Sequence, residues 1–547
     1  MNTAFLKIHP SDNVAVALRE LKSGETMAVG DQQVTLLEDI PAKHKFLLTE
    51  RSIGSEIIMY GVLVGHARTP ISKGGLMTTA NTGHAAADYS WRGVNPTWNT
   101  PNASKFSNRT FRGYRRTDGR TGTANYWLFI PTVFCENRNL DVIREALHNE
   151  LGYAVTGKYK QKVKNLISDF RAGRDPGKTD LDLSPAPTTE TRLFKNVDGI
   201  KFLNHQGGCG STRQDSATLS SLLAAYADHP NVGGVTVLSL GCQHIQVDDF
   251  KQDLLRRNPN FDKPLYIYEQ QRSQSEEQLI SEAIRQTFLG LAEINQLERT
   301  EAPLSHLTVG VKCGGSDGFS GISANPAVGY AADLLVALGG KVLLAEFPEL
   351  CGVEQELVDR CTNREHAEKF IRLMKTYEGE ARRAGSGFDM NPSPGNIRDG
   401  LITDAIKSAG AAKKGGTSPV TDVLDYTEPA STPGLSLVCT PGNDVEATTG
   451  QAAAGANLIL FTTGLGTPTG NPVCPTIKIA TNSTLATRMS DIIDIDTGPI
   501  ITGERTIESM GEDILEYCIR AASGEVLPKA VALNQDDFIP WKRGVSL

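Results

Sequence analysis

The sequence predicts an α/β protein in which a small β-rich unit precedes two larger α/β units. Three observations support this fold class. Short apolar runs between glycines fill the first ninety or so residues, apolar strand segments alternate with helical segments from residue 113 onward, and polar glycine-rich loops follow several predicted strands. Strands that alternate with helices at this spacing form mostly parallel, doubly wound sheets.

Composition limits the possible functions. The chain has 547 residues, enough for two to four domains, and its 39% hydrophobic and 22% charged residues are ordinary for a globular protein. A net charge of −8 leaves no basic surplus for binding nucleic acid. We expect no membrane span and no secretory signal, because no apolar run approaches ~20 residues. Nine scattered cysteines without a CxxC pair predict reduced thiols and a cytoplasmic location.

Residues 1–92 form the predicted β-rich domain, with strands at 34–37 and 46–48 and a hairpin at 57–64. Residues 93–112 are polar, aromatic and without a period, and they predict a linker. The first domain is therefore expected to be joined to the remainder by a surface segment.

Two α/β domains are predicted beyond the linker, at 113–300 and 301–547. Their principal strands are expected at 126–133, 200–203, 235–240, 265–268, 308–312, 342–345 and 458–461. We also predict a surface insertion at 171–192, which is rich in Pro, Asp and Thr, and irregular structure at 381–435.

The run from Cys313 to Pro326 lies between a predicted strand and a predicted helix, and it contains four glycines. Glycines let the backbone approach a ligand closely, and the N-terminus of the next helix offers free N–H groups to an anion. The same run carries a thiol, a carboxylate, hydroxyls and an amide. It therefore predicts a binding loop at the carboxyl edge of a sheet, although the GxxxxGK[ST] pattern of a nucleotide-binding loop is absent.

Other predicted strand ends carry reactive groups as well, and because they share one sheet edge we expect them to converge. They are His205 and Cys209, Cys242 and His244, Cys313 and Asp317, Glu346 and Glu349, Asn391 and Asn396, and Asn443 and Asp444. Thiols, carboxylates and imidazoles are ligands for a borderline divalent metal, whereas amides and N–H groups suit a polyhydroxylated acid. Lys413 and Lys414 are a candidate clamp for its carboxylate.

Many blocks of the chain resemble the altronate/galactarate dehydratase family. The most specific are Cys313-Gly-Gly-Ser-Asp317 with Ser323-Ala-Asn-Pro326, Asn391-Pro-Ser-Pro-Gly-Asn396, Thr440-Pro-Gly-Asn-Asp444 and Lys478-Ile-Ala-Thr-Asn482. The resemblance implies an N-terminal SAF-type domain, a Rossmann-like domain and a third α/β domain. It also implies dehydration of D-altronate to 2-dehydro-3-deoxy-D-gluconate in hexuronate catabolism, with a divalent metal, iron(II) or manganese(II).

The chain departs from the family pattern at three places. Many relatives carry a His-Val-His-x-His-Asn run where this chain has Leu76-Met-Thr-Thr-Ala-Asn81, Gln243 stands where relatives often have Glu, and Ala411 stands where some have Cys. Roles that depend on those groups do not transfer to this chain.

Within this resemblance, we assign roles to the candidate residues. His205, Asp317 and Glu346 are the predicted catalytic groups, with His205 as the proton-transfer group and Glu346 as a base or second ligand. Cys209, Cys242 and Asp317 are the predicted metal ligands. The predicted substrate-binding residues are Ser316, Asn325, Asn396, Lys413 and Asn443.

Three alternatives stay open. The substrate is another sugar acid, such as galactarate, or a sulfonated acid; or the chain binds a sugar acid without catalysis; or Cys209, Cys242 and Cys313 hold an iron–sulfur cluster. In each case the expected partner is a small molecule, and a homo-oligomer is one expected assembly.

Overall fold

The computed structural model of the chain describes residues 4–30, 32–155, 157–181 and 192–547, without the side chains of 157 and 158. Part of the insertion predicted at 171–192 therefore lies outside the described residues. Within the described residues, no helix is both long and apolar enough to cross a membrane.

The first domain is built from short antiparallel strands. They are β1 Phe5–Leu6, β2 Val14–Ala17, β3 Thr26–Val29, β4 Gln32–Thr35, β5 Lys45–Leu47, β6 Glu56–Met59, β7 Val62–Ala67 and β8 Thr82–Gly83. They pair as β1-β2-β5, β3-β4 and β6-β7-β8. The predicted hairpin is present as β6 and β7, and Tyr60 and Gly61 at its turn both have positive φ angles, which permit the sharp reversal.

The segment after the first domain has no regular secondary structure over residues 84–103, and it runs along the third domain. The backbone N–H of Ser90 donates to Gln355, and the indole N–H of Trp98 donates to Thr417. Further on, Lys105 and Arg109 form ion pairs with Glu512 and Glu516. The predicted linker is thus an extended strap that is attached to the domain it crosses.

The second domain contains a parallel sheet in the order β12-β11-β13-β14 and a small antiparallel sheet, β10-β9-β15. The strands are β9 Thr110–Arg115, β10 Thr121–Gly122, β11 Tyr126–Pro131, β12 Gly199–Phe202, β13 Val232–Ser239, β14 Leu265–Glu269 and β15 Thr300–Pro303. The helices are α1 Asn137–Glu150, α2 Gly157–Arg171, α3 Arg213–Asp228, α4 Val247–Arg257 and α5 Glu276–Ile294.

The third domain is organised around a seven-stranded parallel sheet. Its strands are β16 Thr308–Cys313, β17 Lys341–Leu344, β18 Val420–Leu424, β19 Gly434–Val438, β20 Leu458–Thr463, β21 Thr476–Ala480 and β22 Ile495–Asp496, in the order β18-β19-β17-β16-β20-β21-β22. The chain leaves β16 first towards β17 and later returns to its other side at β20. The carboxyl ends near β16 therefore form a topological switch point, where α/β sheets bind ligands.

Ten helices of the described third domain cover this sheet and its carboxyl edge. They are α6 Ala324–Ala337, α7 Glu354–Asp359, α8 Arg364–Arg383, α9 Pro394–Arg398, α10 Asp404–Ala412, α11 Asp444–Ala453, α12 Ser483–Arg488, α13 Gly498–Ile501, α14 Ile507–Ala522 and α15 Lys529–Ala532. The prediction of irregular structure at 381–435 is wrong for α9, α10, β18 and the start of β19. Every residue of α10 is buried, so its polar residues Asp404, Lys407 and Ser408, which share one side of the helix, face other parts of the protein.

The three domains share apolar cores. One cluster joins Val14, Val16 and Ile57 of the first domain to side chains around β16 and α6, and another joins Leu222 of α3 to Ile459 of β20. Apolar surface that is buried between domains stabilises their arrangement. The described domains therefore pack as one body, with the first domain fixed against the third.

Candidate active site

A cavity of about 450 Å³ opens at the carboxyl edge of the seven-stranded sheet, beside the end of β16. Its polar lining residues are Cys313, Glu349, Asn391, Ser393, Asn396, Lys407 and Asp444, and the glycines at 314, 315, 387 and 442 complete much of the wall. A volume of this size accommodates a small polar metabolite. The loop that begins at Cys313 is thus part of a cavity, as the sequence predicts.

Behind this cavity lies a buried group of charged residues that we call the lysine–glutamate cluster: Lys312, Glu346, Glu349, Lys407 and Lys414. Lys312 is the last residue but one of β16, and the two glutamates lie in and just before the 3₁₀ turn Phe347–Leu350 after β17. Lys407 lies on α10, and Lys414 lies in the turn Lys413–Gly415. Four separate segments therefore supply the cluster, and none of its side chains is more than 9% exposed.

Each member of the cluster forms at least one ion pair. Glu346 accepts hydrogen bonds from the ammonium groups of Lys312 and Lys414, the latter at 3.0 Å. The Nζ of Lys407 lies 2.8 Å from Oε1 of Glu349, and the Nζ of Lys312 also lies 2.9 Å from Oδ1 of Asp444 at the cavity wall. Three ammonium groups thus face three carboxylates, which is how buried charges are normally tolerated.

The pKa values of the two glutamates are shifted in opposite directions. Burial, together with the neighbouring Glu349 carboxylate, raises the pKa of Glu346 even though two lysines contact it. Burial also acts to raise the pKa of Glu349, but Lys407, Lys312 and Lys414 outweigh it and lower that pKa to about 2. Two adjacent carboxyl groups with pKa values pushed apart are a common feature of sites for acid–base chemistry.

Glu346 also has unusual backbone geometry, with a φ angle of 72°. Non-glycine residues rarely adopt this left-handed conformation, and they keep it where surrounding contacts enforce it. Here the backbone N–H of Glu346 donates to the hydroxyl of Thr440 at 2.9 Å, while its carboxylate is fixed by lysines. The strained residue directs a carboxylate towards Lys312 and Lys414, behind the cavity.

The thiol of Cys313 faces the cavity next to the cluster. The Nζ of Lys414 lies 3.2 Å from its sulfur, and Oε2 of Glu349 lies 3.6 Å away. Burial raises the pKa of the Cys313 thiol despite the nearby ammonium groups, so the thiol keeps its proton at neutral pH. It can therefore donate a proton, and Lys414 is placed to stabilise the resulting thiolate.

Asn391 orients the lysine that reaches the cavity. Its Oδ1 accepts a hydrogen bond from Nζ of Lys407 at 2.6 Å, and its Nδ2 donates to Glu349 at 3.1 Å. Lys407 lies one turn beyond Thr403, whose hydroxyl caps α10 by accepting from the N–H of Ile406. The ammonium group of Lys407 is thus fixed in position at the cavity wall.

Three predicted substrate-binding residues help to form the loops around the cavity. Asn396 donates to the carbonyl of Ser316 at 2.7 Å and accepts from Ser393, and both amide atoms of Asn325 are bonded to Gly410 and Thr462. Their amides are therefore engaged within the protein. The hydroxyl of Ser316 is buried without a partner among the described residues, so its predicted contact with a substrate hydroxyl stays a prediction.

Two other predicted substrate-binding residues point elsewhere. Lys413 lies 4.0 Å from Glu356 at the surface, whereas its neighbour Lys414 enters the cluster. Asn443 caps α11 by accepting hydrogen bonds from Val445 and Glu446, and the adjacent Asp444 lines the cavity. In both cases it is the following residue, Lys414 or Asp444, whose side chain reaches the cluster or the cavity, because successive residues of a turn or cap point in different directions.

Asp317 has a structural environment that does not fit its predicted catalytic and metal-binding roles. Its carboxylate accepts hydrogen bonds from Ser320 and Thr481 and lies 3.1 Å from Nζ of Lys43. Lys43 belongs to the first domain and also contacts Asp399 at 2.8 Å. Asp317 therefore joins the first domain to the loop after β16 rather than facing the cavity.

His205 lies in the second domain, next to a different cavity of about 330 Å³. Its Nε2 contacts the carbonyl of Pro131 at 2.8 Å and its Nδ1 accepts from the N–H of Gly207 at 3.0 Å, and burial lowers its pKa to about 4. A neutral ring with both nitrogens bonded to backbone has no free atom for substrate. We therefore give His205 no proton-transfer role.

The predicted metal ligands do not come together. Cys209 and Cys242 are exposed in the second domain, and Asp317 is buried in the third. Among the described residues, two groups of three ligand types have their atoms within 4.8 Å of one another: Cys313 with Glu346 and Glu349, and His84 with Cys351 and Asp404. The set of Cys209, Cys242 and Cys313 suggested for an iron–sulfur cluster is not among them.

The sequence analysis named Lys414 as part of a candidate carboxylate clamp, but it assigned no role to Lys312 or Lys407. Both leave a signal in the sequence: Lys312 interrupts an apolar strand, and Lys407 lies in a helix that is otherwise rich in alanine and glycine. A charged residue in an otherwise buried segment needs a partner of opposite charge. Glu346 and Glu349, which the sequence analysis did select, are those partners.

Comparison with known proteins identifies the family. Three family profiles match in succession: the altronate/galactarate dehydratase SAF domain at 3–85, the D-galactarate dehydratase/altronate hydrolase second domain at 113–295, and the D-galactarate/altronate dehydratase C-terminal domain at 304–546.

Similar curated proteins include two altronate dehydratases. The one from Bacillus subtilis (strain 168) is 33% identical over 551 residues, covering 100% of both chains, and the one from Escherichia coli (strain K12) is 33% identical, covering 99% of this chain and 100% of that protein. A galactarate dehydratase (L-threo-forming) from Escherichia coli is 32% identical over 96% of this chain and 94% of its own length. The chain therefore belongs to the altronate/galactarate dehydratase family, and it is a dehydratase enzyme.

Proposed function

We propose that this chain dehydrates D-altronate to 2-dehydro-3-deoxy-D-gluconate and water in the cavity beside the lysine–glutamate cluster. Family membership makes the enzyme a dehydratase of sugar acids, and its two full-length altronate dehydratase relatives favour D-altronate. The observation that carries the proposal is the cavity wall, where Lys407, Cys313 and Asp444 present an ammonium group, a protonated thiol and a carboxylate side by side. These are the groups that the elimination of water from a hydroxy acid requires.

The reaction breaks the C2–H and C3–O bonds. Removal of the C2 proton, α to the carboxylate, places negative charge on the carboxylate oxygens as an enediolate. A fixed ammonium group beside those oxygens stabilises this charge, because it is oriented before the reaction in a site of low dielectric. Lys407 meets this requirement, since Glu349 and Asn391 hold its Nζ at the cavity wall.

Two further groups of the wall carry the protons. We assign the acceptance of the C2 proton to Asp444, whose carboxylate is positioned by the buried Lys312. We assign proton donation to the departing C3 hydroxyl to Cys313, because its thiol is protonated and Lys414 is within 3.2 Å to stabilise the thiolate. The products are water and an enol, which becomes the 2-keto acid by proton transfer from C2–OH to C3, and solvent then resets both residues.

Glu346 acts through its neighbours in this scheme. It does not line the cavity, but its carboxylate holds Lys312 and Lys414, the lysines that support Asp444 and Cys313. Its predicted role as a base or metal ligand is therefore replaced by a positioning role. This explains why a strained backbone conformation is retained at this residue.

The metal predicted from the resemblance, iron(II) or manganese(II), would supply Lewis-acid stabilisation of the enediolate. Cys313, Glu346 and Glu349 are suitable ligands by element, but three lysines already neutralise the carboxylates of the cluster. A dication placed there would lie beside three ammonium groups, with a large Coulombic penalty at low dielectric. The cluster therefore does not fit a metal, and no step of the scheme above depends on one.

The substrate assignment is tested with a panel of sugar acids. We expect the purified protein to form a 2-keto acid from D-altronate with a kcat/KM at least about tenfold above that for D-galactarate, which corresponds to about 1.4 kcal/mol of differential transition-state binding. The product is measured by 2-keto acid derivatisation, with heat-inactivated protein as the control. A higher kcat/KM for D-galactarate would make D-galactarate the substrate instead of D-altronate. If no member of the panel gave a 2-keto acid, the proposal would be contradicted.

A further inference from the structure

The second group of ligand-type residues lies at the contact between the first and third domains. His84 follows β8 of the first domain, Cys351 follows the 3₁₀ turn Phe347–Leu350, and Asp404 is the first residue of α10. One ring nitrogen, the sulfur and one carboxylate oxygen lie within 4.8 Å of one another. Three distant parts of the chain therefore bring three different ligand atoms to one place.

Asp404 is the residue that calls for an explanation. It is 2% exposed, its Oδ2 has no hydrogen-bond partner, and its Oδ1 has a long contact of 3.4 Å with the hydroxyl of Ser408. The ion pairs of the described residues do not include Asp404, whereas Glu346 and Glu349 are each paired with lysine. The close polar neighbours of Asp404 are thus the Ser408 hydroxyl and the Cys351 thiol, which interacts with Asp404 by a side-chain hydrogen bond. A buried carboxylate without a cationic partner is costly, so a cation between Asp404 and Cys351 would stabilise it.

The surrounding charge also favours a cation. The carboxylates of Glu354 and Glu378 act on the Cys351 thiol together with Asp404, and Asp389 acts on His84. The opposing charges are Lys407, which acts on Asp404 from the next turn of α10, and His66, which acts on His84. This balance is negative, in contrast to the lysine–glutamate cluster, whose three ammonium groups face the two glutamates and Asp444.

We propose that His84, Cys351 and Asp404 form a site for a transition-metal dication that links the first domain to the third. Nitrogen, sulfur and oxygen donors together suit a borderline cation such as iron(II), cobalt(II) or zinc(II). Three protein ligands leave a coordination position for water or another small ligand. His84 and Cys351 are only partly buried, so the ion can enter from solvent.

Metal binding at this site releases one proton. The Cys351 thiol loses its proton to solvent as the sulfur–metal bond forms, and the imidazole binds as the neutral ring. The N–H of Ala405 contacts Nδ1 of His84 at 3.4 Å and orients the ring. No oxidation or reduction is required, and the proposal does not depend on the reaction described above.

Cobalt(II) is the probe, because a thiolate ligand to cobalt(II) gives a charge-transfer absorption band. Metal-free full-length protein is titrated with cobalt(II), with serine replacing the exposed Cys135, Cys209 and Cys242 in every sample. We expect a saturable band that Cys351→Ser abolishes and Cys313→Ser retains. His84→Gln should weaken cobalt(II) binding by at least about tenfold.

Two results would overturn the proposal. One is the absence of any band, and the other is a band that survives Cys351→Ser but disappears in Cys313→Ser, which would place the ion in the lysine–glutamate cluster. Thermal denaturation gives a second readout that does not need activity. Added cobalt(II) should raise the Tm of the parent protein, because the ion binds the folded state, and should leave the Tm of Asp404→Asn unchanged.

Discussion

Replacing Lys407 with methionine lowers kcat/KM for the sugar-acid substrate by about a thousandfold in our scheme, or about 4 kcal/mol of transition-state stabilisation. The reason is that Lys407 presents its ammonium group to the cavity, where Glu349 and Asn391 fix it. Methionine keeps the length and apolar stem of the side chain but removes the charge. The measurement is steady-state formation of the 2-keto acid.

Lys413→Met is the matched control for that experiment. Lys413 lies in the turn that follows α10, but it faces the surface near Glu356. Its loss of charge should leave kcat/KM within about twofold, since exposed ion pairs contribute little. Equal losses in the two variants, or full activity of Lys407→Met, would remove Lys407 from the catalytic scheme.

Replacing Lys312 with methionine has the largest expected effect on stability. Lys312 is fully buried, and it contacts both Glu346 and Asp444. Its loss leaves three neighbouring carboxylates facing two ammonium groups, those of Lys407 and Lys414. Breaking a buried ion pair by removing one partner costs about 3–5 kcal/mol. We expect a free energy of unfolding lower by that amount, measured by urea denaturation with a probe in the third domain.

A second substitution distinguishes stranded charge from lost packing. In Lys312→Met combined with Glu346→Gln, the surplus carboxylate is replaced by a neutral amide of nearly the same shape, and ammonium groups and carboxylates are again equal in number. The double variant should therefore be more stable than Lys312→Met alone. The free energy of unfolding is also measured for Glu346→Gln alone. If the losses in Lys312→Met and Glu346→Gln simply add in the double variant, the Lys312 side chain stabilises the protein through packing and its ion pair contributes nothing.

Much of the fold follows from local patterns in the sequence. The strand, glycine-rich loop and helix around Cys313–Pro326 are present as β16, the loop and α6, because apolar runs of strand length and capping residues are local features. The order of the seven strands depends on contacts between distant segments, and no local pattern encodes it. The same limit hides α10, because its polar residues contact other buried parts of the chain instead of solvent.

The sequence indicates which loops form the site, but it does not indicate which side chains of those loops face the cavity. Cys313, Glu349, Asn391 and Asp444 were expected at strand ends and do meet around one cavity. The choice between Lys413 and Lys414 depends on the direction of a 3₁₀ turn, which propensity does not determine. His205 carries the right chemistry for catalysis, but its backbone contacts are visible only in three dimensions.

The first domain contributes one histidine to its contact with the third domain. The run at 76–81 contains no histidine, but His84, three residues further on, reaches Cys351 and Asp404 of the third domain. The first domain thus still brings an imidazole to the domain contact. Lys43, by contrast, joins the two domains through Asp317 and Asp399, without a ligand role.

The position of a bound sugar acid tests the central proposal most directly. Two crystal structures are suitable: the Lys407→Met variant with D-altronate, and the parent enzyme with its product. In both, the C1 carboxylate should occupy the cavity beside Cys313 and Asp444. In the parent enzyme it should lie about 3 Å from Nζ of Lys407. A ligand seated instead in the second-domain cavity beside His205 would contradict the assignment of the reaction to the lysine–glutamate cluster.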